Sequence, residues 1–120
     1  MNVRAALLIK RMIAFPIDIN KSKILIVGVG KVIDGEYQYE TDVLDLVEEL
    51  QEYKRLIHVF DRDADTEFLK TYYNIHCEND MSGFGKVSTY SAIVMAFSQK
   101  DFDIHEHLRG RCIVLDYEKI

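Results

Sequence analysis

Two glycines at the end of an apolar run are the first candidates for chemistry. Gly28 and Gly30 follow the run Ile24–Val27, and an amphipathic helix with Thr41 as its N-cap is predicted downstream. A glycine turn lets the backbone approach a ligand closely. The N-terminus of a helix attracts anions because its first N–H groups have no partner within the helix. This succession of strand, turn and helix therefore predicts a possible anion-binding site.

The same segment matches a dinucleotide-binding fingerprint in part. The pattern G-x-G-x-x-G needs a third glycine, where this chain has Ile33, and a helix that begins inside the motif. Residues 31–40, with the turn signal Asp34-Gly35, separate the glycines from the helix and are predicted to form a loop. Asp61, at the end of the next predicted strand, has the position of a ribose-binding acid. Two interpretations of the segment remain: NAD-type binding, and a glycine turn that serves packing alone.

Three other polar segments are weaker candidates for chemistry. The acidic turn 61–65 lacks the spacing and closing glutamate of a calcium loop. The segment 82–86 lacks the spacing and framing elements of a P-loop. His105 and His107 diverge on a predicted helix and cannot share a metal ion. His58, inside a strand, is interpreted as a core histidine with one hydrogen bond. We therefore expect no catalytic residue, no metal site and no cofactor.

The elements that position these residues alternate between strand and helix. Apolar runs predict strands at 24–27, 55–61, 74–77, 90–97 and 112–116, and helical periodicity predicts helices at 3–14, 41–50, 66–73 and 101–109. This order predicts an α/β fold: a Rossmann-like, three-layer α/β/α domain over residues 23–120, with a five-stranded parallel sheet in the order 3-2-1-4-5. An N-terminal helix and connector, residues 1–22, precede it.

Such a sheet binds ligands at the carboxyl ends of its strands, beside the point where the strand order reverses. That rule gathers residues 28–38, Asp61 and residues 97–100 around one predicted crevice.

Composition narrows the class of protein. The chain has 120 residues, 48% of them hydrophobic and 29% charged, which is typical of a single globular domain. A net charge of −5 argues against general binding to nucleic acid or to anionic membranes. No apolar run approaches the roughly 20 residues of a membrane span. Its 2 cysteines, Cys77 and Cys112, are too few for a disulfide framework, so we expect reduced thiols in a cytoplasmic protein.

The predicted helix 3–14 has an unusually broad apolar face. Only Arg4, Lys10 and Arg11 are clearly polar within it. One sheet face seldom covers so wide an arc. We therefore expect this helix to form a homodimer or to dock on a partner chain, while docking on its own domain stays open.

Several segments together resemble a known family. Lys23–Leu50 reads KILIVGVGKVIDGEYQYETDVLDLVEEL, and VFDRDA, SAIVMAFSQKDFD and IVLD follow at the ends of later strands. In this register the chain resembles the C-terminal UDP-binding domain of the UDP-glucose/GDP-mannose dehydrogenases. The family's glycine-loop segment fits from Gly28 to Leu50 without a gap. Its Y-D-P corresponds to Phe60-Asp61-Arg62, and its closing D-x-R to Asp116-Tyr117-Glu118.

The resemblance implies a ligand site for a nucleotide or a nucleotide-sugar. The implied ligand-binding residues are Gly28, Gly30, Lys31, Tyr39, Thr41, Asp61, Arg62 and Ser98. Three cationic positions of the family depart from its pattern, because they hold Val32, Tyr39 and Glu118 here. Losing two charge-assisted contacts of about 1.5–3 kcal/mol each would weaken binding roughly 10²- to 10⁴-fold. Lys31, Arg62 or Lys119 would partly replace them.

Three functional hypotheses follow. The first is a stand-alone, non-catalytic relative that binds a UDP-type nucleotide or nucleotide-sugar, because the family's NAD domain and nucleophilic cysteine have no counterpart in this sequence. The second is a structural or regulatory subunit that acts through homodimerisation or through docking on a partner chain. The third is an NAD-type dinucleotide-binding domain.

Overall fold

The computed structural model describes residues 3, 6, 7, 10, 23–52, 56–84, 90–100, 102–108 and 112–119. The described strands are β1 (Lys23–Val27), β2 (Gly30–Ile33), β3 (Glu36–Tyr39), β4 (Leu56–Phe60), β5 (Cys77–Glu78), β6 (Ala92–Met95) and β7 (Ile113–Asp116). The complete α-helices among them are α1 (Thr41–Gln51) and α2 (Thr66–Tyr73), and 3₁₀ turns span Met81–Phe84, Ile104–His107 and Tyr117–Lys119. Val3, Ala6, Leu7 and Lys10 are also helical. The rest of the predicted helix 3–14 and of its connector lies outside the described residues.

Five of the strands form one parallel sheet around β1. Their order is β5-β4-β1-β6-β7. Counted among themselves these strands follow the predicted 3-2-1-4-5 order, and the added feature is a two-stranded hairpin of β2 and β3 that stays outside the sheet. The predicted α/β class, with a five-stranded parallel sheet, is confirmed. β1 pairs with β4 on one side and with β6 on the other, and its residues 24–27 are fully buried, as its unbroken apolar sequence predicts.

The two complete α-helices pack on the same face of the sheet. α1 buries Val43, Leu44, Leu46, Val47 and Leu50, and α2 buries Leu69, in one core with Ile24 and Ile26 of β1. The opposite face carries Leu25, Val27, Phe60, Tyr90 and Ile93, against which residues of two 3₁₀ turns pack. Among the described residues, therefore, α1 and α2 cover one face, and residues of 3₁₀ turns contribute to the cover of the other face.

The helix predicted at 101–109 is wrong in type. The structure has a 3₁₀ turn over Ile104–His107. The carboxylate of Asp103 accepts a hydrogen bond from the backbone N–H of His105 at 2.9 Å. A short polar side chain that bonds its own backbone in this way stabilises a tight turn in competition with a longer helix.

The segment predicted as a loop at 31–40 is also wrong in type, because it forms the β2–β3 hairpin. Ile33 pairs with Glu36 across a two-residue turn, and both residues of that turn have positive φ, 52° at Asp34 and 82° at Gly35. This is a type I′ turn, for which Asp-Gly is a favoured sequence. The hairpin ends at Tyr39, and the next residue, Glu40, is the N-cap of α1 in place of Thr41. Its carboxylate accepts a hydrogen bond from the N–H of Asp42 at 3.3 Å.

Candidate functional site

A cleft of about 330 Å³ opens at the carboxyl ends of β1, β4 and β6. It is lined by Gly30, Lys31, Val32, Arg62, Asp63, Phe97, Ser98, Gln99 and Lys100. Three of these side chains are cationic and one is anionic, in a chain whose net charge is −5. The cleft lies where the strand order reverses between β1 and β6, the usual place for ligands in an open parallel sheet. The arrangement suits an anionic ligand.

Four of the eight ligand-binding residues predicted from the sequence line this cleft. They are Gly30, Lys31, Arg62 and Ser98. Gly30 and Lys31 follow β1, Arg62 follows β4 and Ser98 follows β6, so the parallel sheet itself brings the three segments together. Lys100, which the sequence places in the crevice but not in the ligand set, adds a third positive charge.

Two contacts connect the walls of the cleft. The Nζ atom of Lys31 lies 5.9 Å from the centroid of the Phe97 ring, within range of a cation–π interaction. The backbone N–H of Arg62 donates to Oε1 of Gln99 at 2.9 Å. The first contact joins the hairpin to the segment after β6, and the second joins that segment to the one after β4.

Gly28 lies beneath the cleft and outside its lining. Its φ is +84°, and a Cβ atom added there would stand 2.7 Å from Cβ and 2.8 Å from the carbonyl oxygen of Phe97. Its N–H donates to the carbonyl of Phe60 at 2.8 Å. A side chain would be strained at this φ and would collide with the neighbouring segment. Gly28 thus allows the segments after β1, β4 and β6 to meet, which agrees with the packing interpretation of the glycine turn.

Asp61 points into the protein and is completely buried. Its Oδ2 atom accepts hydrogen bonds from the N–H of Val29 at 2.8 Å and from the hydroxyl of Tyr37 at 2.6 Å. Its Oδ1 atom accepts from the N–H of Asp63 at 2.9 Å. A buried carboxylate needs such donors to offset its lost hydration. Both carboxylate oxygens are therefore engaged within the fold, next to the cleft but not facing it.

The other two predicted ligand residues, Tyr39 and Thr41, are not part of the cleft lining. The hydroxyl of Tyr39 accepts a hydrogen bond from the N–H of Asp65 at 2.9 Å, and its ring stacks on Phe68 with 5.3 Å between centroids. Thr41 is an exposed residue at the start of α1. The resemblance to the dehydrogenase family brought both into the predicted set, whereas the hairpin directs Tyr39 towards α2.

Sequence reasoning missed Tyr37. Burial raises the pKa of its hydroxyl well above the ordinary tyrosine range, and the hydrogen bond to Asp61 raises it further. The hydroxyl consequently stays protonated and remains a donor at every physiological pH. A signal for it existed, since Asp34-Gly35 predicts a hairpin and the alternation of Tyr37 with Tyr39 predicts one face of a strand.

On the face of the sheet opposite α1 and α2, His58 contacts two aromatic side chains. Nδ1 of His58 lies 2.9 Å from the hydroxyl of Tyr90, and its ring stacks on Phe84 at 4.2 Å between centroids. Burial, and then the charge of Lys23, lower the pKa of His58 to about 4. This geometry confirms the interpretation of His58 as a core histidine with a hydrogen-bond partner.

A second concavity, of about 450 Å³, lies beside α2 and β5. It is lined by Thr66, Glu67, Lys70, Asn74, Ile75, His76, Cys77 and Glu78. His76 and Glu78 pair there at 2.7 Å, which uses both side chains. Burial raises the pKa of the Cys77 thiol to about 12, and the charge of Asp61 adds to the effect. The mixed charges and the protonated thiol do not define a ligand class.

Within the described part of the chain, no three His, Cys, Asp or Glu side chains are grouped as a metal site would require. The same residues include no helix with the length and apolar character needed to cross a membrane. No protein-family model, curated protein or solved structure matches this chain. The class that the fold and the cleft define is therefore an α/β domain with a cationic cleft at the switch point of its sheet.

Proposed function

We propose that this domain is a non-catalytic binding domain for a nucleotide or nucleotide-sugar of the UDP type, related to the C-terminal domain of the nucleotide-sugar dehydrogenases. The observation that carries the proposal is the cationic cleft, in which Lys31, Arg62 and Lys100 surround one space at the carboxyl ends of β1, β4 and β6. Phosphate groups are the anions that such sites most often bind at the switch point of an open α/β sheet.

Lys31 supports the family relationship in spite of the departure at Val32. Val32 stands where the family has a lysine, and it is 57% exposed. Lys31 and Val32 both line the cleft. The positive charge one residue earlier is available to the same space. Ser98 and Gln99 add polar groups, and the Phe97 ring adds an apolar surface for a base or a sugar.

The dinucleotide alternative has less support. A helix N-terminus close to the glycines is what a dinucleotide fold uses to bind pyrophosphate. Here the hairpin from Gly30 to Tyr39 separates Gly28 from α1. In addition, Asp61 is fully buried with both carboxylate oxygens hydrogen-bonded, so it would have to break internal contacts to bind a ribose.

A thermal-shift titration tests the proposal. The purified protein is heated with UDP, UDP-glucose, GDP-mannose, NAD or inorganic pyrophosphate in parallel. A ligand at 100 times its dissociation constant adds about 2.7 kcal/mol to the free energy of unfolding, which raises Tm by several degrees. We expect UDP and UDP-glucose to raise Tm more than NAD does. An equal effect of pyrophosphate and UDP would reduce the function to general anion binding, and no shift at millimolar UDP would overturn it.

Homodimerisation remains a second candidate function. Val3 and Leu7 are both helical, and they are 71% and 39% exposed. Residues four apart lie on the same face of a helix, so these two apolar side chains extend one uncovered strip. Light scattering of the wild type and of Leu7→Asp tests whether a second copy covers the strip. A dimer that the substitution dissociates is expected, and a monomeric wild type would contradict it.

A further inference from the structure

The β2–β3 hairpin brings Lys31 to the cleft, although it is not part of the main sheet. Its two strands pair only with each other among the described strands. A two-stranded hairpin on its own is marginally stable in water. Its position relative to the cleft must therefore depend on contacts with the body of the domain.

Two tyrosine hydroxyls on β3 make such contacts. Tyr37 donates to Asp61 at 2.6 Å, and Tyr39 accepts from the N–H of Asp65 at 2.9 Å. The Tyr37 bond is the stronger kind, because a short O–H···O bond to a carboxylate is charge-assisted. Its acceptor, Asp61, directly precedes Arg62 and Asp63, which line the cleft.

Asp61 therefore connects two walls that carry cations. Through Tyr37 it holds the hairpin, on which Val32 pairs with Tyr37 and Lys31 pairs with Gln38. Along the chain it leads directly to Arg62 on the opposite wall. Its remaining acceptor capacity goes to the N–H groups of Val29 and Asp63, which secure the same two segments.

We infer that the Tyr37–Asp61 hydrogen bond is a latch that positions Lys31 relative to Arg62 and thereby sets the affinity of the cleft for its anionic ligand. Tyr37 is a positioning residue in this scheme and does not contact the ligand. The inference rests on the proposed function of the cleft. It further implies that a ligand bound between Lys31 and Arg62 stabilises the hairpin in its observed position, because binding and positioning are thermodynamically coupled.

The decisive variant is Tyr37→Phe, which removes the hydroxyl and keeps the ring. When the binding-competent arrangement is only partly populated, the apparent affinity falls by the populated fraction. We expect the dissociation constant for UDP, measured by isothermal titration calorimetry, to rise about tenfold. Tyr72→Phe is the matched control, because Tyr72 on α2 is 73% exposed and lies outside the cleft lining.

A double-mutant cycle separates positioning from a general loss of stability. If the latch acts by positioning Lys31, Tyr37→Phe should weaken UDP binding much less in a Lys31→Gln background than in the wild type. Equal losses in the two backgrounds would overturn the inference, because the latch would then act on something other than Lys31. Unchanged UDP affinity in the single variant Tyr37→Phe would overturn it as well.

Hydrogen exchange without any ligand gives an independent measure of the latch. Backbone amides of residues 30–39 should exchange faster in Tyr37→Phe than in Tyr72→Phe, whereas the amides of β1 should not differ. Equal exchange over the hairpin would overturn the latch even if UDP binds. Absence of UDP binding to the wild type would instead overturn the proposed function, and with it the role of the latch in binding.

Discussion

The side chains of His58 and Tyr90 meet beneath the sheet, with 2.9 Å between Nδ1 and the hydroxyl oxygen. The contact joins β4 to the residues that precede β6, on the face of the sheet opposite α1 and α2. His58 is 8% exposed and Tyr90 is 2% exposed, so the pair is shielded from water. Because burial disfavours the charged imidazolium, protonation of His58 should destabilise the folded protein.

The free energy of unfolding should fall as the pH drops from about 6.5 to about 4. The pKa of His58 is lowered to about 4 from an ordinary value of 6.5, so in this window the unfolded chain binds a proton that the folded protein excludes. The contribution is complete above pH 6.5 and is lost towards pH 4. The size of this contribution is on the order of 2 kcal/mol, because each unit of pKa difference corresponds to about 1.4 kcal/mol and solvent screens part of the effect.

Urea denaturation at several pH values measures this effect in the wild type and in His58→Gln, which keeps an acceptor for Tyr90. His105→Gln is the control, since His105 is exposed in the 3₁₀ turn Ile104–His107. The wild type and His105→Gln should lose stability more steeply between pH 6.5 and 5 than His58→Gln does. Parallel curves for all three proteins would contradict the assignment.

Gly28→Ala should be much more destabilising than Gly35→Ala. The two glycines have nearly the same φ, +84° and +82°, so both substitutions carry a similar backbone strain of about 1 kcal/mol. A Cβ at Gly28 would also stand 2.7 Å from Cβ of Phe97, whereas a Cβ at Gly35 meets nothing within 4 Å. Chemical denaturation should give a loss of about 3 kcal/mol or more for Gly28→Ala, since overpacking adds to strain. Equal losses would show that Phe97 moves aside without cost.

Cys77 should resist thiol reagents while the protein is folded. Burial raises its pKa to about 12, from an ordinary value of 9.0, so the reactive thiolate is roughly 10³-fold rarer than in the unfolded chain. Cys112 is half-buried, and burial raises the pKa of its thiol as well. Labelling with a disulfide reagent at pH 8 should modify Cys112 first and Cys77 only on denaturation. The variant Cys112→Ser isolates Cys77, and rapid labelling of that folded variant would contradict the expectation.

Neutralising one cation of the cleft should weaken the binding of UDP. It should also reduce the dependence of the UDP dissociation constant on salt concentration. Lys31→Gln or Lys100→Gln removes a charged group that lines the cleft. A lost hydrogen bond to a phosphate costs about 1.5 kcal/mol, or roughly tenfold in the dissociation constant. Lys70→Gln on α2 is the matched control, because Lys70 lines the other concavity. Titrations at low and at moderate salt should distinguish the variants, and equal affinities for all would contradict the assignment of the cleft.

The class of fold and the general place of the cleft follow from patterns in the amino-acid sequence. The unbroken apolar residues 24–27 predict a strand buried on both faces, and helical stripes predict α1 and α2. These patterns are local, because burial imposes a period of two or 3.6 residues along each element. Once the strand order is known, the residues that follow β1, β4 and β6 must lie at one edge of the sheet. Lys31, Arg62 and Ser98 were therefore predictable as neighbours.

The contacts of each polar side chain at that edge depend on how distant segments of the chain pack together. Asp61 and Tyr37 are 24 residues apart, and no local pattern indicates that they share a hydrogen bond. The orientation of Asp61 depends on where the hairpin lies, and that depends on contacts with two segments distant in sequence. Non-local contacts, each of a few kcal/mol or less, select among conformations that the local sequence leaves close in energy.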